Sequence, residues 1–172
     1  MTVRETIQLI LDRGTTLAQP VAIDGMPPMT FSSSVSPDAA SDDEIRALRA
    51  YLPDDVREFW ATTRTARLFE DRQYGQWGLE ILAPQQAASI SRVRTHERPN
   101  DFCGSDLIIG RFVGDSDLLV IRCDASHPDF GHVLVALPLD SRPDWYEASD
   151  SFGEFLADYA RSGGEKFWTK IK

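Results

Sequence analysis

The sequence predicts an α+β fold: a largely antiparallel sheet, helices that flank it, and a helix that closes the chain. Helix-like segments come first, strand-like segments with short connections follow, and one helix-like segment ends the order. Strands and helices do not alternate singly, as the βαβ units of a parallel sheet would require. The length of 172 residues suits one domain with a short appendage.

A capping box opens the first predicted helix, because Thr2 is followed three residues later by Glu5. The helix should end near Gly14, since glycine favours the position after a helix. Its apolar residues fall on one face: Val3, Ile7, Ile10 and Leu11. Residues 15–40 then lose this periodicity and are rich in proline and serine, which indicates a loop or linker with one short strand at 29–31.

A second capping box, Ser41 with Glu44, opens the next predicted helix. Pro53 should end this helix, because its ring clashes with the preceding turn, and should begin a further one. The inward-facing residues of the two helices are Ile45, Leu48, Leu52, Val56, Phe59 and Trp60. We therefore expect an N-terminal helix and linker extension at 1–40 and a domain at 41–172.

From Ala66 onward the hydrophobic period becomes that of strands. The predicted strands are 68–69, 77–82, 107–113, 118–123, 132–137 and 145–148. Turns are expected around Tyr74-Gly75 and at 114–117, where glycine and aspartate cluster. A helix should cover about 84–95, and a last one should begin at Ser151 and extend to about residue 162.

The chain is acidic, with 18 basic and 27 acidic residues and a net charge of −9. This charge argues against sequence-independent nucleic-acid binding and against anionic membrane surfaces, both of which depend on Lys and Arg. Five aspartates stand in predicted loops and turns: Asp106, Asp115, Asp117, Asp124 and Asp129. They indicate either solvated turn chemistry or an acidic face that is complementary to a basic partner.

The segment 124–132 is the most enzyme-like part of the sequence, with two histidines, two carboxylates and a hydroxyl. The histidines are not spaced for one helix face, and Pro128 and Gly131 indicate a loop, so we prefer a solvated loop to a metal or acid–base site. No nucleophile elbow or phosphate-binding glycine loop is present either. The sequence therefore predicts no catalytic residue, no cofactor and no bound metal.

The two cysteines, Cys103 and Cys123, form no C-x-x-C pair and are expected to be reduced thiols, with a disulfide between them left open. The N-terminal segment carries Glu5 and Asp12 and is too polar for a signal peptide. No run of residues approaches the 18 apolar residues of a membrane span. We expect a cytoplasmic protein that does not bind membranes.

Five segments, in order and spacing, resemble the SMI1/KNR4 (SUKH) superfamily. They are LPDDVREFW at 52–60, WGLEIL at 77–82, LIIGRFVGD at 107–115, the strand from His132-Val133 onward, and DSFGEFL at 150–156. The resemblance covers about 41–160 and implies the same α+β fold. Members often have Asn-Gly after the first helix pair, whereas this chain has the segment 62–65 there, and residues 1–40 lie outside the shared pattern.

The resemblance implies a bacterial immunity protein, which binds a cognate toxin domain, often a nuclease, and blocks it without catalysis. A scaffold or regulatory interaction module is the alternative that it leaves open, and a metal-dependent enzyme built on 124–132 is the third. Acidic side chains would face the basic toxin, and tryptophans would supply burial, unless they belong to the core. The candidate contact residues are Asp115, Asp117, Asp124, Asp129, Trp77 and Trp145.

Overall fold

The computed structural model describes residues 1–15, 20–21, 29–48 and 51–170. The helices are α1 (Val3–Thr15), α2 (Asp42–Arg46), α3 (Asp54–Thr62), α4 (Pro84–Glu97) and α5 (Phe152–Arg161). The strands are β1 (Pro20–Val21), β2 (Met29–Val35), β3 (Ala66–Asp71), β4 (Leu79–Ile81), β5 (Asp106–Phe112), β6 (Leu118–Arg122), β7 (Val133–Ala136) and β8 (Tyr146–Ser149). Two short 3-10 helices, η1 (Arg142–Asp144) and η2 (Phe167–Lys170), lie in the second half.

The strands form one antiparallel meander in which each strand pairs with its neighbours in sequence. Strands β2 to β8 build the seven-stranded body of the sheet, and the two-residue β1 pairs with the outer side of β2. Helices flank this sheet, and α5 follows the last strand. The predicted α+β class with a largely antiparallel sheet and a closing helix is therefore confirmed.

The main core lies on the sheet face against which α1, α3 and α5 pack, which we call the helical face. Leu119 and Ile121 of β6 meet the helices there, because alternate residues of a strand point to the same side. Trp60 of α3 is fully buried, and its Nε1 donates a hydrogen bond to the carbonyl oxygen of Leu82, 3.0 Å away. The predicted inward positions of α3 are confirmed, since Val56 and Phe59 are also fully buried.

A second, smaller core covers part of the opposite sheet face. Its buried members are Phe102, Ile108, Leu118, Val120, Ala136 and Trp145. Nearer β3, the same face is exposed and carries a row of charges, where Glu80 lies between Arg67 and Arg111 on the neighbouring strands. The sheet thus has one fully covered face and one face that is covered only toward β6, β7 and β8.

The N-terminal capping box is confirmed: the Thr2 amide donates to the Glu5 carboxylate at 2.7 Å, and the Glu5 amide donates to the Thr2 hydroxyl at 3.2 Å. Helix α1 packs against α3, α5 and β2, and its apolar face belongs to the main core. The division at residue 40 into an extension and a family-like domain stays a prediction. The parts of the expected linker at 16–19 and 22–28 lie outside the described residues.

The expectation of a single short strand at 29–31 was wrong in length, because β2 continues to Val35 and pairs with β3. The three consecutive serines of β2 interrupt the alternation of apolar and polar residues by which a strand is predicted. Ser33 interrupts the register, and its hydroxyl accepts a hydrogen bond from the amide of Phe69 at 2.9 Å. Phe69 has a φ of 50°, which a non-glycine residue adopts only with local support.

The predicted helix from Ser41 to Leu52 is also shorter than expected, since α2 ends at Arg46. Its capping box of Ser41 with Glu44 is confirmed. Leu48 and Leu52 are buried as predicted, although they lie beyond the helix. Proline disfavours helical backbone in the residue before it, and Pro53 acts here as the N-cap of α3. Residues 49–50, which the expected helix includes, lie outside the described residues.

Two adjacent glycines after α5 provide a test of packing against Phe69. Both have positive φ, but a Cβ on Gly164 would lie 2.5 Å from Phe69 Cβ, whereas a Cβ on Gly163 would meet nothing within 4 Å. Gly163→Ala should therefore lower the free energy of unfolding by about 1 kcal/mol through backbone strain alone. Gly164→Ala should cost about 3 kcal/mol or more, because strain and overpacking add. Urea unfolding of both variants measures the difference, and equal losses would contradict this packing.

Candidate functional site

The meander sorts the candidate side chains to two opposite ends of the sheet. The turn 114–117 between β5 and β6 lies at one end, which we call the turn end. The loop 124–132 between β6 and β7 lies at the other end, which we call the loop end, together with Asp150, which follows β8. The aspartates predicted to contact a partner are therefore divided between the two ends, and they do not form one patch.

At the turn end, Asp115 and Asp117 share the ammonium group of Lys166. Asp115 forms a salt bridge with it, and Asp117 Oδ2 lies 3.3 Å from Nζ. The same ammonium lies 5.6 Å from the ring centre of Trp77 and 5.5 Å from that of Phe112. Both predicted contact aspartates are thus paired within the chain, and Lys166 offsets much of their negative charge.

Burial is the main cause of the pKa shifts of Asp117 and Lys166. Burial, helped by the nearby Asp140 carboxylate, raises the pKa of Asp117 to about 6. Burial also lowers the pKa of Lys166 to about 8. Both shifts disfavour the charged forms, whereas the 3.3 Å contact favours them. Burial has the larger effect on Asp117, because this residue is only 8 % exposed.

The other two predicted contact aspartates are held by local hydrogen bonds. Asp124 Oδ1 accepts from the amide of Ser126 at 3.0 Å and from its hydroxyl at 2.6 Å, and these bonds lower the pKa of Asp124. Asp129 forms a salt bridge with Arg122 at 2.9 Å and lies 3.0 Å from Nδ1 of His127. Whether these residues contact a partner stays a prediction.

Both predicted anchor tryptophans pack within the chain. Trp77 stacks on Phe31 with 6.2 Å between ring centres, and its Nε1 donates to the carbonyl oxygen of Gly164 at 2.8 Å. Trp145 is 8 % exposed, packs 4.7 Å from Phe102, and donates to the carbonyl oxygen of Asp140 at 3.1 Å. Their role as contact residues stays a prediction, and a partner would find little of Trp145 exposed.

Asp106 is an internal charge and not part of an acidic surface, which corrects the expectation that it lies in a loop. It begins β5, is 6 % exposed, and accepts hydrogen bonds from Arg122 at 2.8 Å and from Arg142 at 2.6 Å. The Cys103 amide adds a further bond at 2.9 Å. Burial opposes ionisation, but the hydrogen bonds from both arginines together hold the pKa of Asp106 below its usual value.

Among the described residues, a group of carboxylates without an arginine or lysine partner lies at the loop end, where α3 and α5 both begin. Its five carboxylates, which we call the acidic end, are Asp54, Asp55, Glu147, Asp150 and Glu154. The amide of Gly153 donates to Asp55 Oδ2 at 2.8 Å and joins the two helix starts. A Cβ on Gly131 would lie 3.8 Å from Pro53 and 3.9 Å from the carbonyl oxygen of Asp150. The loop, both helices and the end of β8 therefore meet here.

Within the described ranges, neither arginine nor lysine forms a salt bridge with any of these five carboxylates. The carboxylates in the first turns of α3 and α5 interact favourably with the helix dipoles. Glu147, on β8, instead contacts His132, whose Nδ1 lies 2.6 Å from Glu147 Oε1. This end of the molecule therefore presents negative charge that the described arginines and lysines leave largely unbalanced.

One group at the acidic end has the donor types of a metal site. Ligand atoms of His132, Glu147 and Asp150 lie within 4.8 Å of one another. His132 comes from the enzyme-like segment 124–132, but the other polar residues of that segment make separate contacts, Asp124 with Ser126 and His127 with Asp129. The polar residues of 124–132, which the sequence favours as a solvated loop over an acid–base site, are therefore divided between different local contacts.

The described cysteines are free thiols, and the Cys123 thiol is buried while that of Cys103 is exposed. Burial raises the pKa of Cys123 to about 12, so this thiol is protonated and unreactive at neutral pH. Among the helices within the described ranges, none has both the length and the apolar character to cross a membrane.

Sequence reasoning missed the acidic end, because no local pattern unites its members. Asp54 and Asp55 follow Pro53, so a first helical turn is their predicted place. Glu147 reaches His132 because β8 pairs with β7 in a register that places Glu147 opposite Leu134. That register includes an irregularity between Val133 and Leu134, which no spacing rule supplies.

The buried carboxylate of Asp106 should contribute far more to the free energy of unfolding than the partly exposed carboxylate of Asp129. Asp106→Asn should lower the free energy of unfolding by about 3–5 kcal/mol, because Arg122 and Arg142 lose a buried anion. Asp129→Asn, which also touches Arg122 but is partly exposed, should cost about 1 kcal/mol or less. Urea unfolding at pH 7 measures both.

The pH dependence of the Asp106 variant provides a check. A carboxylate whose pKa is lowered on folding stabilises the protein above its unfolded pKa, and this contribution is lost as the pH falls through the folded pKa. The difference between wild type and Asp106→Asn should therefore shrink in acid. A difference that is constant with pH would contradict an ionised Asp106.

The contribution of Asp117 to stability should change with pH in the opposite direction to that of Asp106. Its pKa is raised from 3.8 to about 6, so the folded state binds the proton more tightly than the unfolded state does. Wild type should therefore lose about 1–3 kcal/mol relative to Asp117→Asn as the pH rises from about 4 to about 7. Paired urea titrations at the two pH values measure this change, and a relative gain for wild type would mean that the Lys166 contact outweighs burial.

No family model matches the chain, and comparison with curated proteins also found no match.

Proposed function

We propose that this chain is an immunity-type binding protein that neutralises a basic bacterial toxin domain by stoichiometric association, with the acidic end as its contact surface. The observation that carries the proposal is the set of five carboxylates around the starts of α3 and α5, which no described arginine or lysine neutralises by a salt bridge. A cytoplasmic location, where an immunity protein would meet an incoming toxin, belongs to the same proposal.

Charge complementarity gives the chemistry of the partner. A toxin domain that acts on nucleic acid needs lysine and arginine around its active site, because it must bind phosphates. A surface with clustered carboxylates competes for those cations and speeds the encounter, and it disfavours acidic partners. The net charge of −9 extends this field beyond the acidic end.

The acidic end is also preformed, which lowers the entropy lost on binding. The hydrogen bond from Gly153 to Asp55 fixes α5 against α3, and pairing with β7 holds β8. Beneath this surface lie Phe59 and Phe152, which are fully buried and pack with 5.6 Å between ring centres. The carboxylates are therefore mounted on a rigid base and not on a loop that must fold.

The resemblance of five segments to the SMI1/KNR4 superfamily supports the same proposal, since bacterial members commonly act as immunity proteins. The scaffold or regulatory module that the resemblance leaves open would use the same kind of surface. The neighbouring gene separates the two, because an immunity protein is encoded beside its toxin.

Charge reversal tests the proposal on the toxin domain that the adjacent gene encodes. Glu147→Lys with Asp150→Lys should raise the Kd by about 100-fold or more, and the wild-type Kd should rise with salt. Asp43→Lys, at an exposed position of α2 away from the acidic end, is the matched control and should change the Kd by less than about 3-fold. Calorimetry measures affinity and stoichiometry together.

Asp115→Asn examines the turn end in the same assay. Asp115→Asn could weaken toxin binding strongly while the double variant Glu147→Lys with Asp150→Lys leaves the Kd unchanged. That result would contradict the acidic end as the contact surface and would favour the interface expected from the sequence. Failure of the wild-type protein to bind the neighbouring toxin would contradict the immunity function itself.

A further inference from the structure

Three side chains at the loop end converge in the way that a metal ion requires. His132, Glu147 and Asp150, which we call the triad, have ligand atoms that all lie within 4.8 Å of one another. In the part of the chain that the structure describes, no other three side chains of histidine, cysteine, aspartate or glutamate converge to this extent. The triad combines one imidazole with two carboxylates, so it is not simply a cluster of acidic residues.

The spacing of the triad is close to that of a coordination sphere. A tetrahedral ion with bonds of about 2.1 Å keeps its ligand atoms about 3.4 Å apart. His132 Nδ1 and Glu147 Oε1 are closer than this, at 2.6 Å, and the widest separation within the triad is no more than 4.8 Å. Small rotations about the bonds of exposed side chains therefore bring all three ligands to the required distance.

The backbone holds the imidazole of the triad in position. The carbonyl oxygen of His132 accepts a hydrogen bond from the amide of Arg122 at 3.0 Å, and its amide donates to the carbonyl oxygen of Asp129 at 3.1 Å. Gly131, with a φ of 91°, donates to the carbonyl oxygen of Arg122 at 2.8 Å. His132 is thus fixed against the end of β6 and does not belong to a freely moving loop.

The carboxylates of the triad are positioned by strand pairing. The register of β7 with β8 places Glu147 opposite Leu134, two residues after His132, and side chains at such diagonal positions are within reach of each other. The register shifts between Val133 and Leu134, where Val133 lies opposite Ser149, and Asp150 follows directly. The irregular pairing therefore brings two acidic positions of the β8 segment to the same histidine.

A second contact between a histidine and a carboxylate shows what distinguishes the triad. His127 Nδ1 lies 3.0 Å from Asp129 Oδ1, but no third ligand joins them in the described structure, and Arg122 already forms a salt bridge with Asp129 at 2.9 Å. No described arginine or lysine forms a salt bridge with Glu147 or Asp150. A divalent cation would balance both charges and remove their mutual repulsion.

We propose that the triad is a site for a divalent transition-metal ion of the Zn²⁺ type, with one imidazole nitrogen of His132 and one carboxylate oxygen each of Glu147 and Asp150 as ligands. The imidazole favours this class of ion, because Mg²⁺ and Ca²⁺ prefer oxygen ligands. Three protein ligands leave a fourth position, which water takes in the free protein. The site goes beyond the proposed function and does not depend on it.

The ion would fasten together parts of the chain that are distant in sequence. It would join the end of the loop 124–132 to β8 and to the residue before the N-cap of α5. The unfolded chain does not hold these residues together, so an ion that binds the folded state stabilises it. The site therefore provides a metal-dependent lock on the loop end of the sheet.

The first experiment titrates ZnCl₂ into the untagged full chain in competition with a chromophoric chelator. One Zn²⁺ per chain should bind with a micromolar Kd, and millimolar Mg²⁺ or Ca²⁺ should not displace it. Saturating Zn²⁺ should also raise the midpoint of urea unfolding. A Kd in the millimolar range, or displacement of Zn²⁺ by Mg²⁺ or Ca²⁺ at that concentration, would overturn the inference.

Matched variants separate the triad from adventitious binding at the surface. His132→Gln and Glu147→Gln should each raise the Kd for Zn²⁺ by at least about 10-fold, because each removes a ligand. His127→Gln removes the histidine that has one carboxylate neighbour and should leave the Kd within about 2-fold of the wild-type value. Equal losses for the His127 and His132 variants would mean adventitious binding only and would overturn the inference.

A spectroscopic measurement on the wild-type protein avoids any dependence on how the variants fold. In ¹⁵N NMR spectra of the imidazole rings, Zn²⁺ should shift the nitrogens of His132 and leave those of His96 and His127 unchanged. Shifts of His96 or His127 without a shift of His132 would overturn the inference. Since neither experiment includes the toxin, loss of the metal site and loss of the proposed function are separate results.

Discussion

The constraint on which this structure depends is that each strand pairs with its neighbours in sequence. An antiparallel meander reverses direction at every strand, so its connections gather alternately at two ends of the sheet. Asp115 and Asp117 thereby fall at one end, and His132 and Asp150 fall at the other. The same reversal brings the starts of α3 and α5 together at the loop end, where the Gly153 amide meets Asp55. Pairing of the backbone thus decides which charges become neighbours.

Much of the fold could be predicted from interactions between residues that are close in sequence. The capping boxes at Thr2 and Ser41 are hydrogen bonds between residues three apart, so the sequence alone can specify them. The alternation of apolar residues in β6 likewise reflects the two faces of one strand. Strand β2 escaped the same reasoning, because its three central serines break the apolar alternation, although the strand pairs with β3 and the Ser33 hydroxyl accepts from the amide of Phe69.

The candidate site was less predictable, because it depends on register and burial. Asp106 and Asp115 are both aspartates near turn-forming residues, and the sequence gives no reason to separate them. The structure buries Asp106 between Arg122 and Arg142, whereas it pairs Asp115 with Lys166 from the C-terminal segment. These partners are distant in sequence, and only the fold brings them into contact. A high density of aspartate therefore predicted an acidic protein but not which aspartates give it a free charge.

The charges beside β8 have a consequence for both stability and recognition. Charged residues on edge strands usually protect a sheet from association with its own copies, and Glu147 on β8 suits that role. Repulsion of one class of partner is also selection of another, because specificity is a difference between affinities. A negatively charged surface that repels acidic partners is also one that favours a basic partner. The carboxylates that keep this sheet from pairing with copies of itself are therefore the same groups that would attract a basic partner to the acidic end.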